Sequence, residues 1–466
     1  MKIFPNKIRI VSSCVVLFCV VAATAQNWPQ YLGENRAGKA SFTAPKTWPK
    51  ELTQKWKVTV GDGVATPSLV GDKLFVFSRQ EGGEILRCLD AATGKEIWKS
   101  EKFDVLPAER PAQDFAGPRC SPTVAEGKIV TLGLRGTLSC HDASDGKLLW
   151  RKEDFKGVLP RFFTSASPVV TDGLCIAVLG GGDRGGVIAY DLKSGEEKWR
   201  WDGEGASYAS PVLLTADGMK MVIAEMDKKI LGLAVKDGKV LWETAFAVQG
   251  RGYNAATPTV DGSTLIYGGS ARPLTAVKIA KEGEAFVAKQ LWQNAETTLQ
   301  FNTPVMKDGT LFGLSANNEF FSISKDGKTA WTTPASPQAA TATNPPAANP
   351  LPQATGGEPT GTNTPALARG TEGGPGGAGR EARGGPGGRG GRGGGRGGYA
   401  QIVDAGSVVL ALTPASELVA FQPSEKAYTE VARIKVSNTP TYAYPVVSGK
   451  RIFVKDKDDV TLFWVE

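Results

Sequence analysis

The side chains best suited to acid–base or metal chemistry are few in this chain. It has one histidine, His141, so neither a histidine-rich metal centre nor a Ser-His-Asp triad is expected. Four of the six cysteines lie beyond residue 25, and their spacing resembles neither a disulfide framework nor a metal site. We interpret Cys88 and Cys140 as small apolar residues on buried strands, and His141 as a surface residue at a strand end. The other two cysteines are Cys120 and Cys175.

A second set of polar residues suits binding better than reaction. These residues precede or lie near repeated Ser/Thr-Pro pairs, and they are Arg119, Arg161, Tyr208, Arg251, Tyr253, Asn254 and Asn302. Guanidinium, phenol and amide groups that converge suit an anionic or sugar-like ligand, or a polar loop of a partner protein. The alternative is that they are solvated loop residues. Which applies depends on the elements that carry them.

A ten-residue motif recurs along the chain as LDAATGKEIW (89–98), HDASDGKLLW (141–150), YDLKSGEEKW (190–199) and LAVKDGKVLW (233–242). Its aspartate can accept backbone N–H groups across a turn, and its glycine supplies a positive φ. Its tryptophan can fill the gap between neighbouring sheets. The residues to which we assign these structural roles are Asp90, Gly94, Trp98, Asp142, Gly146, Trp150, Asp191, Gly195, Trp199, Gly238, Trp242, Gly327 and Trp331.

Each copy of the motif marks one blade of a propeller. Four short strands in about 40 residues form one blade, and the tryptophans recur at that spacing, with Trp292 between the last two. Ser/Thr-Pro pairs that begin at residues 66, 121, 167, 210, 257 and 303 precede the first strand of six units. A seventh unit, about 400–437, lacks both marks. The sequence therefore predicts an all-β fold of four-stranded antiparallel blades.

The eighth blade is assembled from both ends of the chain. The last residues supply three strands, and LTQKWKVTV (52–60) is a tryptophan-bearing strand with no three strands before it. Pairing them removes the open sheet edges. We therefore predict an eight-bladed β-propeller whose ring is closed by the N-terminal strand. Seven blades is the competing count, and it would leave Trp56 or the last three strands unpaired.

Composition divides the chain into segments. Residues 1–25 have the features of a secretory signal peptide, and 26–51 form a lead-in to the ring. Residues 52–334 contain the closing strand and blades 1–6, and 400–466 contain blades 7 and 8. The Pro/Ala/Thr-rich and then Gly/Arg-rich segment 335–399 is predicted to be a disordered insert. We expect an exported protein, periplasmic or extracellular, with no transmembrane segment after cleavage.

The net charge gives no reason to expect nucleic acid. Of the formal charge of +7, the first 25 residues contribute +3 and residues 335–399 another +3, which leaves +1 for the rest. The Arg-Gly-Gly runs can bind RNA, but the insert has a single aromatic residue, Tyr399, for stacking. We expect an envelope protein or polymer as partner and a monomeric propeller.

These turns and the Ser/Thr-Pro strand starts resemble those of exported bacterial propellers with pyrroloquinoline-quinone-like (PQQ-like) repeats. The segment NWPQYLGENRAGKA (27–40) is similar to the lead-in of many of them. One branch, the quinoprotein alcohol dehydrogenases, holds PQQ and calcium under a disulfide between adjacent cysteines, with a carboxylate as base. This sequence has no Cys-Cys pair, and no carboxylate stands out as a base.

The other branch is the BamB-like propeller scaffolds of outer-membrane protein assembly, which use such blades without a cofactor. BamB-like proteins carry a lipidated cysteine after the signal, and here Gln26 follows the expected cut. The interpretation adopted is a noncatalytic binding scaffold in the cell envelope, with no cofactor and no metal. The alternative is a PQQ-dependent, dehydrogenase-like enzyme with a diverged active site, which would bind PQQ and calcium. Carbohydrate binding is a third class, for which the sequence offers no evident aromatic platform.

Overall fold

The computed structural model describes residues 27–110, 112–248, 252–336 and 399–466. The predicted signal peptide, nearly all of the insert and Arg251 lie outside these ranges. Within them, no helix is long and apolar enough to cross a membrane.

The described chain forms eight antiparallel sheets, which are the blades. In each blade, a path of four strands runs from the channel outward. Blade 1 contains β2 (Ser68–Val70), β3 (Lys73–Gln80), β4 (Gly83–Asp90) and β5 (Glu96–Lys99), with β6 (Phe103–Asp104) added beside β4. Blade 2 contains β7 (Thr123–Ala125), β8 (Lys128–Leu132), β9 (Leu138–Asp142) and β10 (Leu148–Lys152). Blade 3 contains β11 (Val169–Thr171), β12 (Leu174–Gly181), β13 (Arg184–Asp191) and β14 (Glu197–Asp202). Blade 4 contains β15 (Val212–Ala216), β16 (Met219–Glu225), β17 (Lys229–Ala234) and β18 (Val240–Ala245).

The remaining blades follow the same order. Blade 5 contains β19 (Thr259–Asp261), β20 (Thr264–Gly269), β21 (Arg272–Glu282) and β22 (Ala285–Thr298). Blade 6 contains β23 (Val305–Lys307), β24 (Thr310–Leu314), β25 (Glu319–Ile323) and β26 (Thr329–Pro334). Blade 7 contains β27 (Gln401–Asp404), β28 (Val409–Leu412), β29 (Glu417–Phe421) and β30 (Glu430–Lys435). Blade 8 contains β31 (Val446–Ser448), β32 (Arg451–Lys455), β33 (Asp459–Trp464) and β1 (Thr53–Thr59).

The ring closes through blade 8. Strand β1 pairs antiparallel with β33, and Trp56 lies opposite Leu462. This confirms the prediction of eight blades with the N-terminal strand as the closing strand.

The two middle strands of each blade are buried on both faces, which explains their continuous apolar runs. Strand β8 is buried from its second residue to its last, whereas four of the five residues of the outermost strand β10 are exposed or half-buried. The core lies between adjacent blades, as where Val178 of blade 3 and Val222 of blade 4 share one cluster. Two-sided burial therefore fixes the radial order of the strands.

A seam is the contact between the outermost strand of one blade and the outer turn of the next. Seven of the eight seams centre on a tryptophan, and the outermost strand of blade 7, β30, has none. A Cβ on Gly146 of blade 2 would lie 2.5 Å from the Trp98 ring of blade 1. Gly146 also has a φ of +77°, which L side chains rarely adopt. Glycine is thus needed for both the turn and the tryptophan. The same arrangement joins Trp56 to Gly94, Trp150 to Gly195, Trp199 to Gly238 and Trp292 to Gly327.

Hydrogen bonds from the indoles reinforce these seams. In four of them Nε1 donates to a backbone carbonyl of the next blade at 2.8 to 3.2 Å, and the pairs are Trp56 with Ala91, Trp150 with Leu192, Trp199 with Val235, and Trp331 with Ser424. The Nε1 of Trp98 is buried and has no partner among the described residues. The seam between blades 1 and 2 is therefore held by packing without this bond.

The repeat aspartates lie in the outer turns and are engaged locally. Thr93 N donates to Asp90 Oδ1 at 2.8 Å, and Ser144 N donates to Asp142 Oδ1 at the same distance. Hydrogen bonds from the Thr93 and Ser144 hydroxyls, together with these backbone bonds, lower the pKa of both carboxyls. Asp191 accepts an equivalent bond from Ser194 N. The motif thus stabilises turns on the face of the ring opposite the blade-joining loops.

The expectation for His141 is wrong. The side chain is only 4% exposed, because it lies on β9 with β10 and the neighbouring blade covering it. Its Nδ1 donates to the Gly146 carbonyl at 3.1 Å, and burial lowers its pKa. All four cysteines of the described chain are buried free thiols, which agrees with the interpretation of Cys88 and Cys140 as apolar residues.

Candidate functional site

The repeated Ser/Thr-Pro pairs tie adjacent blades together around the channel. The backbone N–H of the residue before the proline donates to the side-chain oxygen of the residue at the same position in the next blade. The pairs are Ser121 with Ser167, Ser167 with Ser210, Ser210 with Thr257, Thr257 with Thr303, and Tyr444 with Thr66, at 2.9 to 3.2 Å. The pairs that mark blades in the sequence therefore also stabilise the ring from its centre.

The residue two positions before each of these sites lies on the face that carries the blade-joining loops. Around the ring these residues are Val64, Arg119, Ser165, Tyr208, Ala255, Phe301, Tyr399 and Tyr442. Four are aromatic and one is arginine. We call these residues, together with Phe115, Phe162 and Tyr253, the rim.

The aromatic side chains of the rim form two arcs. In the first, Tyr442 contacts Phe115 and Tyr399 with ring centroids 5.0 and 5.1 Å apart, and Phe301 lies 5.9 Å from Tyr399. The contacts of Tyr442 are edge-to-face, an arrangement that aromatic pairs favour. The rings are only half-buried. The arc therefore combines fixed ring positions with accessible surface.

The second arc consists of Phe162, Tyr208 and Tyr253. The rings of Phe162 and Tyr253 meet edge-to-face at 4.9 Å, and those of Tyr208 and Tyr253 at 5.9 Å. Phe162 N also donates to the Tyr208 hydroxyl at 3.0 Å. Loops from three consecutive blade junctions thus contribute to this arc.

Arg119 bridges the two arcs. Its Nη2 donates to the Phe115 carbonyl at 3.3 Å, its Nη1 donates to the Phe162 carbonyl, and its guanidinium lies 6.0 Å from the Phe115 ring centre. Burial lowers its pKa. Arg161 is exposed, with its guanidinium 5.6 Å from the Phe162 ring centre. Arg119 therefore organises the rim, and Arg161 offers a charge at its surface.

The two asparagines named from the sequence lie below the rim. Asn254 is 2% exposed, and its Nδ2 donates to the carbonyls of Met226, Asp227 and Phe246 at 2.9 to 3.1 Å. Asn302 is fully buried, and its Oδ1 accepts from Ala400 N at 2.7 Å. Both amides hold loops in place. The structure thus brings Arg119, Arg161, Tyr208 and Tyr253 together, while Arg251 lies outside the described residues.

The lead-in enters the channel from the opposite face. Trp28 pairs antiparallel with Leu69 of blade 1, and Val124 N of blade 2 donates to the Pro29 carbonyl at 2.8 Å. Further on, Lys39 pairs with Asp404 of blade 7, and Phe42 pairs with Gly449 of blade 8. We call residues 27–43 the plug.

Two side chains of the plug reach the remaining blades. The Tyr31 hydroxyl lies 3.3 Å from Thr257 Oγ1 and 3.4 Å from Thr303 Oγ1. Arg36, only 6% exposed, donates to the carbonyls of Ser167, Pro168 and Pro211 and to Gln30 Oε1. Burial lowers the pKa of Arg36 to about 9. The plug thus contacts every blade.

A quinone cofactor with calcium is what the dehydrogenase resemblance implies, and the channel groups do not fit it. Calcium prefers carboxylate and carbonyl oxygens. Three carbonyls beside the channel already accept hydrogen bonds from Arg36, and the strand-start positions carry mainly hydroxyl groups. Across the described ranges, no three His, Cys, Asp or Glu side chains form a group that could hold a metal ion.

A cleft of about 470 Å³ lies away from the rim, on the face that the plug enters. Pro29 of the plug, Val70 and Phe75 of blade 1, and Val124 of blade 2 line it, with Lys73 and Glu126 as charged neighbours. It borders the same seam whose tryptophan lacks an indole hydrogen bond. The cleft and the rim are separate features of the ring.

The sequence analysis missed most of the rim. It named neither Phe115, Phe162, Phe301 nor Tyr442 as site residues, and it found no aromatic platform. Aligning the blades on their strand starts would have shown Tyr208, Phe301, Tyr399 and Tyr442 at one repeat position. Phe115 and Phe162 come from loops of unequal length, which no repeat alignment can place.

Comparison with known proteins gives one family and two kinds of relative. A family model described as outer membrane protein assembly factor BamB matches residues 81–333, which is more than half of the chain. Methanol dehydrogenase [cytochrome c] subunit 1 of Paracoccus denitrificans is 26% identical over 268 residues, 53% of this chain and 40% of that protein.

The outer membrane protein assembly factor BamB of Burkholderia pseudomallei is 29% identical over 203 residues, 43% of this chain and 47% of that protein. The chain therefore spans less than half the length of either curated relative. The crystal structure of BamB from Moraxella catarrhalis matches with a TM-score of 0.55 at 13% identity, covering 89% of this chain and 99% of that one. At that identity the likeness concerns the fold alone.

Proposed function

The chain belongs to the family described as outer membrane protein assembly factor BamB, a family of propellers with PQQ-like repeats, and from this premise we propose a noncatalytic binding scaffold of the cell envelope. Its rim receives a protein partner. A component of outer-membrane protein assembly is one candidate for that partner. Export to the envelope is part of the proposal, since residues 1–25 lie outside the described chain.

The observation that carries the proposal is the composition of the rim. Tyr, Phe and Arg are enriched where proteins bind one another, and they dominate the energetic centres of such interfaces. The rim places seven half-buried aromatic side chains and Arg119 around one mouth of the channel, with Arg161 exposed beside them. Because packing and backbone hydrogen bonds already fix these side chains, little conformational entropy is lost on binding.

The test is photo-crosslinking in the native envelope. A photoreactive residue at exposed Gln113, in the loop that carries Phe115, is expected to give one reproducible protein adduct. The substitution Arg161→Glu reverses the exposed rim charge and should reduce the yield of that adduct by about tenfold, as for loss of an interface charge worth roughly 1.4 kcal/mol.

The matched control is Lys236→Glu, the same charge reversal at an exposed turn on the opposite face. It should leave the adduct unchanged, and a photoreactive residue placed at Lys236 should not form it. An adduct that survives Arg161→Glu, or that forms equally from both faces, would contradict the proposal.

Similarity to the dehydrogenase subunit supports a second candidate, a quinone-dependent oxidation. We test it with purified protein supplied with PQQ and Ca²⁺, by following a bound chromophore and the reduction of a dye by alcohols. The scaffold proposal expects neither. Substantial alcohol-dependent dye reduction would replace it with the enzymatic one.

A further inference from the structure

The rim residue Tyr253 is held in place from below by two neighbours. Asn254 bonds three carbonyls of blade 4 and of the loop that follows it, and its own carbonyl accepts from Tyr208 N at 2.8 Å. Arg272, the first residue of β21, donates to Asn254 Oδ1 at 2.6 Å and to the Phe246 carbonyl at 2.7 Å. The Arg272 guanidinium also lies 3.8 Å from the Phe246 ring centre. Arg272 is therefore the anchor of the rim segment 252–256.

A buried acid faces this anchor. Glu225, the last residue of β16, is 1% exposed, and neither of its carboxyl oxygens has a hydrogen-bond partner in the described chain. The Nε of Arg272 is likewise buried and unpartnered. Each of the two residues is the one charged group whose field acts on the other. Glu225 and Arg272 thus lie close enough to interact electrostatically, but they do not form an ion pair.

The repeat does not require an acid at this position. By the register of the inner hairpins, six other blades have an apolar residue or glycine there: Phe77, Leu132, Val178, Gly268, Leu314 and Leu412. Blade 8 has Lys455, whose Nζ donates to three backbone carbonyls at 2.7 to 3.1 Å. Glu225 has no such compensation.

The protonation state of Glu225 decides what Arg272 does. Burial raises the pKa of Glu225 well above the usual carboxyl range, and the attraction of Arg272 offsets this only in part. The folded state therefore favours the neutral acid, which leaves the guanidinium free to bond Asn254 and Phe246. An ionised carboxylate would compete for the same N–H groups.

We propose that Glu225 and Arg272 form a proton-controlled latch that sets the position of Tyr253 in the rim. With the proton in place, Arg272 holds Asn254 and the rim segment is fixed. When the proton passes to solvent, the carboxylate draws the guanidinium toward itself, Asn254 loses its partner, and the segment is released. This regulation rests on the proposed function, because it acts on the same rim.

The test is backbone hydrogen exchange of the full chain at a series of pH values across the range in which the ring stays folded, corrected for the intrinsic pH dependence of exchange. In the wild type, protection of the Tyr208 amide, which donates to the Asn254 carbonyl, is expected to fall by roughly tenfold as pH rises, the factor for one lost hydrogen bond. Glu225→Gln should keep this protection across the range, and Arg272→Leu should lack it throughout.

Glu84→Gln is the matched control, because Glu84 is a second buried acid, in blade 1. It should retain the wild-type response at the Tyr208 amide. A Glu225→Gln variant that loses protection as the wild type does, or a wild type whose protection is constant with pH, would overturn the latch. The measurement needs no partner, so its failure would leave the crosslinking result, and the proposed function, untouched.

Discussion

The seams between blades 2 and 3 and between blades 4 and 5 occupy equivalent places in the ring and are built differently. In the first, Trp150 lies against Gly195 and donates to the Leu192 carbonyl at 3.0 Å. In the second, the long hairpin of β21 and β22 replaces the glycine turn, and the Trp242 indole donates to the Met221 sulfur at 3.2 Å. In the regular seam, residues of the repeat alone supply both the glycine contact and the indole hydrogen bond.

Glu225 and Arg272 lie in the same two blades as the second seam, beneath the rim. The long hairpin of β21 and β22 departs from the repeat at the outer turn, and Glu225 with Arg272 departs from it beneath the rim. Residues shared by all blades therefore serve the ring, and residues peculiar to one blade are where a particular function is to be sought. Three measurements test this distinction.

The largest expected effect comes from filling a regular seam. In Gly146→Ala the new Cβ would meet the Trp98 ring at 2.5 Å at a φ of +77°. We expect a loss of about 3 to 4 kcal/mol in the free energy of unfolding, from backbone strain plus overpacking. Gly127→Ala is the control, with a φ of +71° and nothing within 4 Å of the new Cβ. It should cost about 1 kcal/mol in the same urea titration. Equal losses would mean that the tryptophan contact adds nothing.

A buried acid between blades 1 and 2 gives the next largest effect. Burial raises the pKa of Glu84 to about 7, against a backbone hydrogen bond from Leu134 N that lowers it. The pKa of Glu84 is higher in the folded state than in the unfolded state, so protonation of Glu84 favours folding. This contribution to the free energy of unfolding is fully present below about pH 4.5 and is lost as the pH rises through about 7. The total loss is about 3 kcal/mol. Glu84→Gln retains the acceptor for Leu134 N, and urea unfolding from pH 5 to pH 8 should show a flatter profile for it. Parallel profiles would refute the assignment.

The smallest effect separates two seams of the same design. Trp150→Phe leaves the Leu192 carbonyl with only the weak Cys140 thiol as donor, whereas Trp98→Phe removes an N–H that has no partner among the described residues. We expect the first to cost about 1 to 2 kcal/mol more than the second. Thermal unfolding of both variants measures the difference. If Trp98→Phe proves the costlier, the indole bond is not what strengthens regular seams.

The ring could be predicted because its signals are local. The turn around Gly94, the tryptophan four residues later and the Ser/Thr-Pro pairs recur with a fixed period, and pairing LTQKWKVTV with the last strands follows from counting strands in fours. The positions of single side chains depend on neighbouring blades. His141 was placed at the surface because its own strand shows an end there, while β10 and the next blade bury it.

The candidate site was only partly predictable for the same reason. Arg119 and Tyr208 were found because they precede strand starts directly. Asn254 and Asn302 share that location, yet unpaired carbonyls of adjacent loops draw their amides inward. The plug was seen only as a lead-in, because its contacts with all eight blades exist only once the ring has formed.

The pairing of β1 with β33 makes ring closure a late event in the life of the chain. Lys55 and Glu466, which bond across this pair, are 411 positions apart. At about 5 to 20 residues per second, synthesis of the intervening chain takes roughly 20 to 80 s. Throughout that time β1 lacks its partner strand β33, and the growing row of blades has two open ends at which other chains could pair. Strands β31 to β33 therefore convert an open row of blades into a closed ring.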